Sequence, residues 1–342
     1  MLCVFGLMIQ NALIIYICLM LQISEIIELI ENDLQKINLP ENPAGLYQPL
    51  AYMLSIGGKR IRPALSLMAS NLFSDQLHPF INTALAMEVF HNFTLMHDDI
   101  MDDAPMRRGK QSVHEKWNIN TAILSGDVML VKAYELICNS EIKNKNEILN
   151  RFNQTAIKVC EGQQLDIDFE KSHNVSVSSY IDMITKKTAV LLGCSLYCGA
   201  LAAGAEMHDA EYLYEAGIAA GISFQIMDDL LDVYGDAGEV GKKSGGDIVQ
   251  NKKTFLFVHT FAASENSDRN NLIGYYTNKF QSDEKIKAVV ALFDKYKAKE
   301  QAAHVMKSYF ETATEKLEQV SVAKNKKEML TTFFNTIYNR RF

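Results

Sequence analysis

Asp98-Asp99-Ile100-Met101-Asp102 and Asp228-Asp229-Leu230-Leu231-Asp232 are two acidic words of one pattern, D-D-x-x-D. Each follows an apolar run, Phe93-Thr94-Leu95-Met96-His97 in one case and Phe224-Gln225-Ile226-Met227 in the other. On a helix the first and last aspartates of each word are i,i+4 neighbours and share a face. Like charges so placed repel by roughly 0.2–0.5 kcal/mol per pair, and turning two such faces toward each other would cost more. A hard divalent cation removes that penalty. Mg²⁺ binds through one or two carboxylates plus substrate phosphates rather than an all-protein cage. Two carboxylate walls across a gap therefore point to a metal-bridged phosphate ester. A lone word could be a solvated helix face; repetition in matched apolar context argues for chemistry.

The basic residues extend this reading. Gly57-Gly58-Lys59-Arg60-Ile61-Arg62-Pro63 sets three cations beside a flexible glycine pair, just before a helix that starts at a proline. Backbone amides, a helix N-terminus and Lys or Arg side chains make an anion site. Arg107-Arg108-Gly109-Lys110 follows the first acidic word, Lys186-Lys187-Thr188 lies mid-chain, and Gly241-Lys242-Lys243 follows the second word. Any one of these groups alone reads as surface charge. Together they indicate two anionic groups, one held through metal and one held directly by cations. No GxxxxGK[ST] loop occurs, so a nucleoside triphosphate is not indicated.

The elements that must position these residues read as helices. All six prolines fall at or before Pro105, leaving the rest free of the strongest helix breaker. Stretches 79–101, 121–138, 178–203 and 208–234 carry apolar residues at helical spacing, and no alternating β-branched run bounded by turns appears. The chain of 342 residues is long enough for a large core and has no Gly/Ser-rich or Pro-rich linker. Its net charge of −7 and the lack of a basic stripe argue against nucleic acid as a partner. The six cysteines show no CxxC or metal-finger spacing; Cys194 and Cys198, i,i+4 in an apolar stretch, read as small core residues in a reducing cytoplasm. Trp117 reads as a core residue.

Residues 1–21 form an apolar leader interrupted by Gln10-Asn11, and no Lys or Arg precedes Lys36. The length would just span a bilayer, yet the positive flank of a signal peptide or oriented anchor is missing. Three readings stay open: a mis-assigned start with initiation at Met20, an extra helix packed on the body, and a membrane anchor. The domain expected to carry the chemistry is 22–342.

From about residue 40 to residue 256 the chain resembles the trans-isoprenyl diphosphate synthases, the polyprenyl synthetase family. The words that carry the resemblance are Gly57–Pro63, His97–Asp102, Arg107-Arg108-Gly109, Glu161-Gly162-Gln163, Lys187-Thr188, Phe224–Asp232 and Gly241-Lys242, in matching order and spacing. The resemblance implies an all-α, single-domain helical bundle around one deep central cavity. It implies a 1'-4 condensation: an allylic diphosphate ionises, isopentenyl diphosphate attacks the allylic cation, and a proton leaves. Ionisation calls for Lewis-acid and electrostatic stabilisation of the leaving diphosphate.

By the same resemblance Asp98, Asp102 and Asp228 are metal ligands, with Asp99, Asp229 and Asp232 in support. The metal is Mg²⁺, three ions with substrate bound, with Mn²⁺ as a substitute. Arg107, Lys187, Lys242 and Lys252 match the positions that grip the allylic diphosphate (dimethylallyl, geranyl or farnesyl), with Lys253 replacing Lys252 if the register shifts by one. Lys59, Arg62, His91 and Arg108 match the isopentenyl diphosphate site, and Thr188 and Gln225 match polar groups beside the allylic carbon. The released diphosphate is the expected base. A homodimer is implied. Asp103 could cap its helix or pair with Arg107 or Arg108; His97 reads as a hydrogen-bonded structural residue; Asp236 and Asp247 stay unassigned.

Other classes are weighed against this. A di-iron bundle needs two E-x-x-H words and the chain has one, Glu88–His91. A terpene cyclase would replace the second aspartate word and would not need the Gly-Gly-Lys-Arg site. A non-catalytic partner subunit would have degraded aspartates. For product length, Phe93 lies five residues before Asp98, about 7.5 Å along a helix, and Phe90 eight residues before, about 12 Å. The resemblance gives the chain stop to the Phe93 position, flanked by Thr94. A single aromatic there, with no insertion in the first word, resembles a geranylgeranyl diphosphate synthase. C20 is the first expectation, C15 the second and longer chains the third.

Overall fold

The structure, a computed structural model of the chain, describes residues 23–172, 174–235, 245–277 and 282–339. The leader 1–21, Lys242, Lys243 and Asp236 lie outside the described residues. The described chain is all-α apart from one two-stranded hairpin. No described helix is long and apolar enough to cross a membrane.

Two compact units are distinguished. One comprises the described residues up to Arg151 with Ser195–Leu213 and Ser321–Thr332. Its helices are α1 (23–34), α2 (Ala44–Ser55), α3 (Ile61–Phe73), α4 (Ile81–Met101), the short α5 (Val113–Lys116) and α6 (Ile119–Cys138), with strands β1 (Met106–Arg107) and β2 (Lys110–Gln111) between α4 and α5. Asn118 starts α6 by accepting a hydrogen bond from the Thr121 N–H at 2.9 Å, an N-cap of the expected kind. α4 buries Ala84, Leu85, Met87, Val89, Phe90 and Met96, and each large side chain removed from water contributes roughly 1.5–3 kcal/mol. Trp117, expected in the core, is only half-buried: it meets Tyr52 edge-on at 5.2 Å, and Lys116 lies over both rings. An indole with a polar edge settles where it can keep that edge wet.

The other unit comprises Phe152–Cys194, Tyr214–Val320 and the described residues from Phe333. It takes in most of α7 (Lys145–Lys171), α8 (Val177–Ile184), the start of α9 (Val190–Ala202) and most of α10 (Met207–Tyr234). The one-turn α11 (Gly246–Val249), α12 (Phe255–Ala263), α13 (Asn266–Thr277), α14 (Ser282–Lys295), α15 (Ala298–Glu318) and the end of α16 (Lys324–Tyr338) follow. Ile222, Ile226, Met227 and Leu230 of α10 share a core with Phe255, Leu272, Phe293 and Met306. α9 and α10 touch through glycine: a Cβ on Gly217 would sit 2.6 Å from the Gly193 Cα. The helix expected over 178–203 is broken by a π turn at Thr185–Ala189. Cys194 and Cys198 are fully buried, as small core residues.

Candidate active site

The first acidic word closes α4. Asp98 and Asp99 occupy its last turn, and the Asp102 N–H donates to the Asp98 carbonyl at 2.9 Å. A helix C-terminus disfavours carboxylates, because its unpaired carbonyls already carry partial negative charge. Arg107 offsets this. Its Nε donates to Asp99 Oδ1 at 2.9 Å, and its guanidinium also reaches Asp98 at 3.7 Å. Arg107 sits on β1, and the β1–β2 hairpin turns through Arg108 (φ +52°) and Gly109 (φ +75°). Both central residues at positive φ make a type I′ turn, the tight hairpin loop for which Gly is preferred. The Ala104 N–H donates to the Asp99 carbonyl at 2.9 Å, tying the start of this segment to the helix end.

The three aspartates are thereby sorted. Asp99 points inward and is 1% exposed, whereas Asp98 is half-buried and Asp102 exposed. Burial raises the Asp99 carboxyl above its usual range, and the hydrogen bond and charge of Arg107 pull it partly back. Burial also opposes the Arg107 charge, but the bond to Asp99 and the field of the three aspartates more than restore it.

The basic residues of the same unit divide by role. Arg60, at φ +50° and 2% exposed, is committed to the fold: it donates to Glu88 at 2.6 Å, to Glu31 at 2.7 Å and to the Leu54 carbonyl at 3.1 Å. Glu88 also accepts from Asn92 at 3.1 Å. Arg62 is different. Its Nε is buried without a hydrogen-bond partner. Burial pushes it down to about 10, with Glu88 opposing and Arg108 adding to the effect. His91 on α4 is held well below the usual histidine range, first by burial and then by Arg62, Arg108, Arg107 and Arg60. Burial also lowers Arg108, whose guanidinium donates to the Gly57 carbonyl and lies against Gly58, where a Cβ would come within 2.8 Å of its Cζ. Lys59 is exposed beside them. Arg62 and Arg108 thus set two cations near the neutral His91, and the buried carboxylates that act on them, Glu88 and Asp99, are already paired with Arg60 and Arg107, an environment that an anion would stabilise.

In the other unit the second word repeats the sorting. Asp229 is 4% exposed and turned inward, where its Oδ2 accepts from the Tyr180 hydroxyl and from the Phe255 N–H at 2.9 Å. Burial raises it to about 7 against the pull of those two donors, with Asp247 and Asp228 adding to the rise. Asp228 and Asp232 are half-buried. Asp232 also organises the following segment: its carbonyl accepts from the Gly245 N–H at 2.7 Å and its carboxylate from the Asp247 N–H at 2.9 Å. Asp247, to which the sequence gives no role, acts by its charge on Asp229, Tyr180 and Tyr276 and is a further acid near this word.

Lys187 and Thr188 ride on the π turn. Lys187 Nζ lies 2.5 Å from Asp166 Oδ2 on α7, and Thr188 Oγ1 donates to Gln225 Oε1 at 3.3 Å. Single π turns inside α-helices are frequent at functional sites. Gly162 explains the Glu161-Gly162-Gln163 word: a Cβ there would lie 2.6 Å from the Lys186 carbonyl carbon. Lys252 has an exposed side chain 4.0 Å from Asp247, whereas Lys253 donates to the Phe169 and Glu170 carbonyls at 2.6 and 2.8 Å. Lys253 is thus held by backbone carbonyls, whereas the Lys252 side chain reaches solvent. Sequence reading missed Asp166 and Tyr180, because each is a partner defined by contact across tens of residues and belongs to no local word; Glu88 was read only as part of an E-x-x-H word, and its pairing with Arg60 lies 28 residues away.

On α4 the half-buried Phe93 lies between Phe90 at 5.6 Å and His97 at 4.8 Å, and Thr94 is tied to the His91 carbonyl at 2.8 Å. His97 lies over Gly126, 3.2 Å from the Ile123 carbonyl oxygen, in a structural role. The residues fit a hard divalent cation. In each word the inward aspartate is held by the fold, and the remaining two stand at i,i+4 on one face. This donor set is oxygen alone, the kind Mg²⁺ accepts.

The sequence profile described as "Polyprenyl synthetase" matches residues 43–293. A geranylgeranyl pyrophosphate synthase of Geoglobus acetivorans is 38% identical over 245 residues, covering 70% of this chain and 76% of that protein. Two solved structures share the fold with a TM-score of 0.88. One, a geranylgeranyl pyrophosphate synthase, is 40% identical and covers 94% of this chain and 99% of its own. The other, a geranylgeranyl pyrophosphate synthetase from Pyrococcus horikoshii Ot3, is 31% identical over 95% of this chain and 99% of its own.

Proposed function

Because the chain belongs to the polyprenyl synthetase family and is an isoprenyl diphosphate synthase, we propose that it condenses isopentenyl diphosphate with an allylic diphosphate and stops at geranylgeranyl diphosphate. The observation that carries this reading is the buried Arg62 Nε without a hydrogen-bond partner, in the field of Arg108 and beside the neutral His91, a cationic group additional to Arg107 on the first aspartate word. A condensing enzyme needs a second diphosphate site; a cyclase does not.

In the proposed reaction Lys59, Arg62, His91 and Arg108 bind isopentenyl diphosphate and orient its double bond. Arg107, Lys187, Lys252 and Lys242 grip the allylic diphosphate. Asp98, Asp102 and Asp228 would hold Mg²⁺. When bound, that ion supplies Lewis-acid stabilisation of the leaving diphosphate. Asp99 and Asp229 hold the two words in place through Arg107, Tyr180 and the Phe255 amide. The allylic C–O bond breaks, and the Thr188 and Gln225 oxygens favour the cation electrostatically. The new C–C bond forms, and the proton lost goes to the released diphosphate. Phe93, backed by Phe90 and flanked by Thr94, stops the growing chain at C20, and the geranylgeranyl synthases among the relatives support that length.

A homodimer is part of the proposal. Ile119, Ile123, Leu124 and Val131 of α6 are 40–65% exposed, and a concentration of large apolar side chains on one helix favours a protein partner. A cytoplasmic location is part of the same proposal. The metal assignment is tested by Asp98→Ala and Asp228→Ala. Each is expected to cut turnover by several orders of magnitude with unchanged circular dichroism; near-normal turnover in either removes it.

A further inference from the structure

A second set of metal-type ligands lies just beyond the first acidic word, in groups the condensation does not use. Asp103, His114 and Glu115 each offer one ligand atom, and the three atoms lie within 4.8 Å of one another. Asp103 directly follows Asp102, while His114 and Glu115 are on α5. The independent sign of a ligand is His114. It is 8% exposed, and neither ring nitrogen has a hydrogen-bond partner. Buried imidazoles are ordinarily satisfied on both nitrogens. Its Nε2 stands 3.7 Å from Glu115 Oε1, too far for a hydrogen bond. That separation is close to the roughly 3.3 Å between ligands of one tetrahedral ion with bonds of about 2.0–2.1 Å.

We propose that Asp103, His114 and Glu115 form a site for a borderline divalent transition metal of the Zn²⁺ type, separate from the Mg²⁺ of the aspartate words. The imidazole sets the class. Zn²⁺ and Co²⁺ take nitrogen with carboxylate oxygen, whereas Mg²⁺ keeps to oxygen and water. Asp103 and Glu115 are exposed, which gives the ion a way in and leaves a position for water. A bound ion ties the residue after Asp102 to α5 and so fixes the end of α4.

Trp117 makes the test specific, being the chain's only tryptophan and two residues beyond Glu115. Co²⁺, which quenches a nearby indole, is titrated into the full chain in excess Mg²⁺. The expected result is saturable quenching at one Co²⁺ per chain, reversed by Zn²⁺ and not by Mg²⁺. Glu115→Gln and His114→Gln should each weaken it by about tenfold or more, as loss of a ligand or its support does; Asp98→Asn should leave it intact. Glu115 is on the surface, so Glu115→Gln keeps the test open if the buried His114 variant fails to fold. Absence of saturable quenching in the unmodified chain, unchanged affinity in Glu115→Gln, or loss of quenching in Asp98→Asn would overturn the proposal.

Discussion

Each acidic word contains one aspartate buried and held by the fold, and two less buried ones at i,i+4, of which Asp232 also accepts from the Asp247 N–H. Asp99 is held by Arg107, and Asp229 by Tyr180 and the Phe255 amide. The outward pairs were legible because i,i+4 spacing alone puts them on one face. The inward roles were not, because Tyr180 and Phe255 lie 49 and 26 residues from Asp229 and nothing local marks them. His91 offers a test at this scale. Burial and four arginines hold its folded-state affinity for protons far below the unfolded value. Below the ordinary histidine pKa of about 6.5 the unfolded chain therefore takes up a proton that the folded chain refuses, and stability drains away as pH falls. The contribution is intact above that pH. His91→Gln should lose less stability than the unmodified chain between neutral pH and mildly acid pH, read as the shift in denaturation midpoint. Parallel losses would show that His91 is not held neutral by its surroundings.

The elements place the chemistry by close approach. The helical stretches were readable from periodicity, but the π turn at Thr185–Ala189 was not, since Thr-Lys-Lys-Thr-Ala gives no sign of an extra residue in the turn. Nor does a sequence disclose that Gly162 lies against that turn. Gly162→Ala follows as a test of position. A methyl group there must push the Lys186–Lys187 backbone aside, while helix propensity improves by about 1 kcal/mol. The expected outcome is a folded, helical protein with a turnover loss of at least tenfold, because Lys187 and Thr188 move together. Full activity in Gly162→Ala would mean that the turn tolerates displacement and does not set the positions of these residues. Arg60 shows the same limit in another way. Sequence grouped it with Lys59 and Arg62 as an anion ligand, but its bonds to Glu31 and Glu88 make it part of the framework.

For the whole molecule, the resemblance carried by a handful of words extended to the all-α fold, although the words lie in varied settings: a helix start (Gly57–Pro63), helix ends (the two aspartate words), a hairpin (Arg107–Gly109) and a π turn (Lys187-Thr188). Chain length is the property they leave least determined. Phe93 sits five residues before Asp98, packed with Phe90 and His97, and removing its ring should lengthen the product while sparing the diphosphate sites. Phe93→Ala is expected to yield C25 or longer beside C20, and Thr94→Phe to shift output toward C15. The stability cost of Phe93→Ala should fall below the roughly 3–5 kcal/mol of a fully packed phenylalanine, since the ring is only half-buried. An unchanged profile in active Phe93→Ala protein would move the stop elsewhere.

The most direct measurement supplies the unmodified protein with labelled isopentenyl diphosphate, an allylic primer and Mg²⁺, then resolves the dephosphorylated products by chromatography. Label should enter a C20 alcohol as the main product with each of the dimethylallyl, geranyl and farnesyl primers, and none should enter when the metal is chelated. Failure to consume isopentenyl diphosphate with any primer would contradict the condensation itself, and a main product of C15 or beyond C20 would contradict the assigned stop.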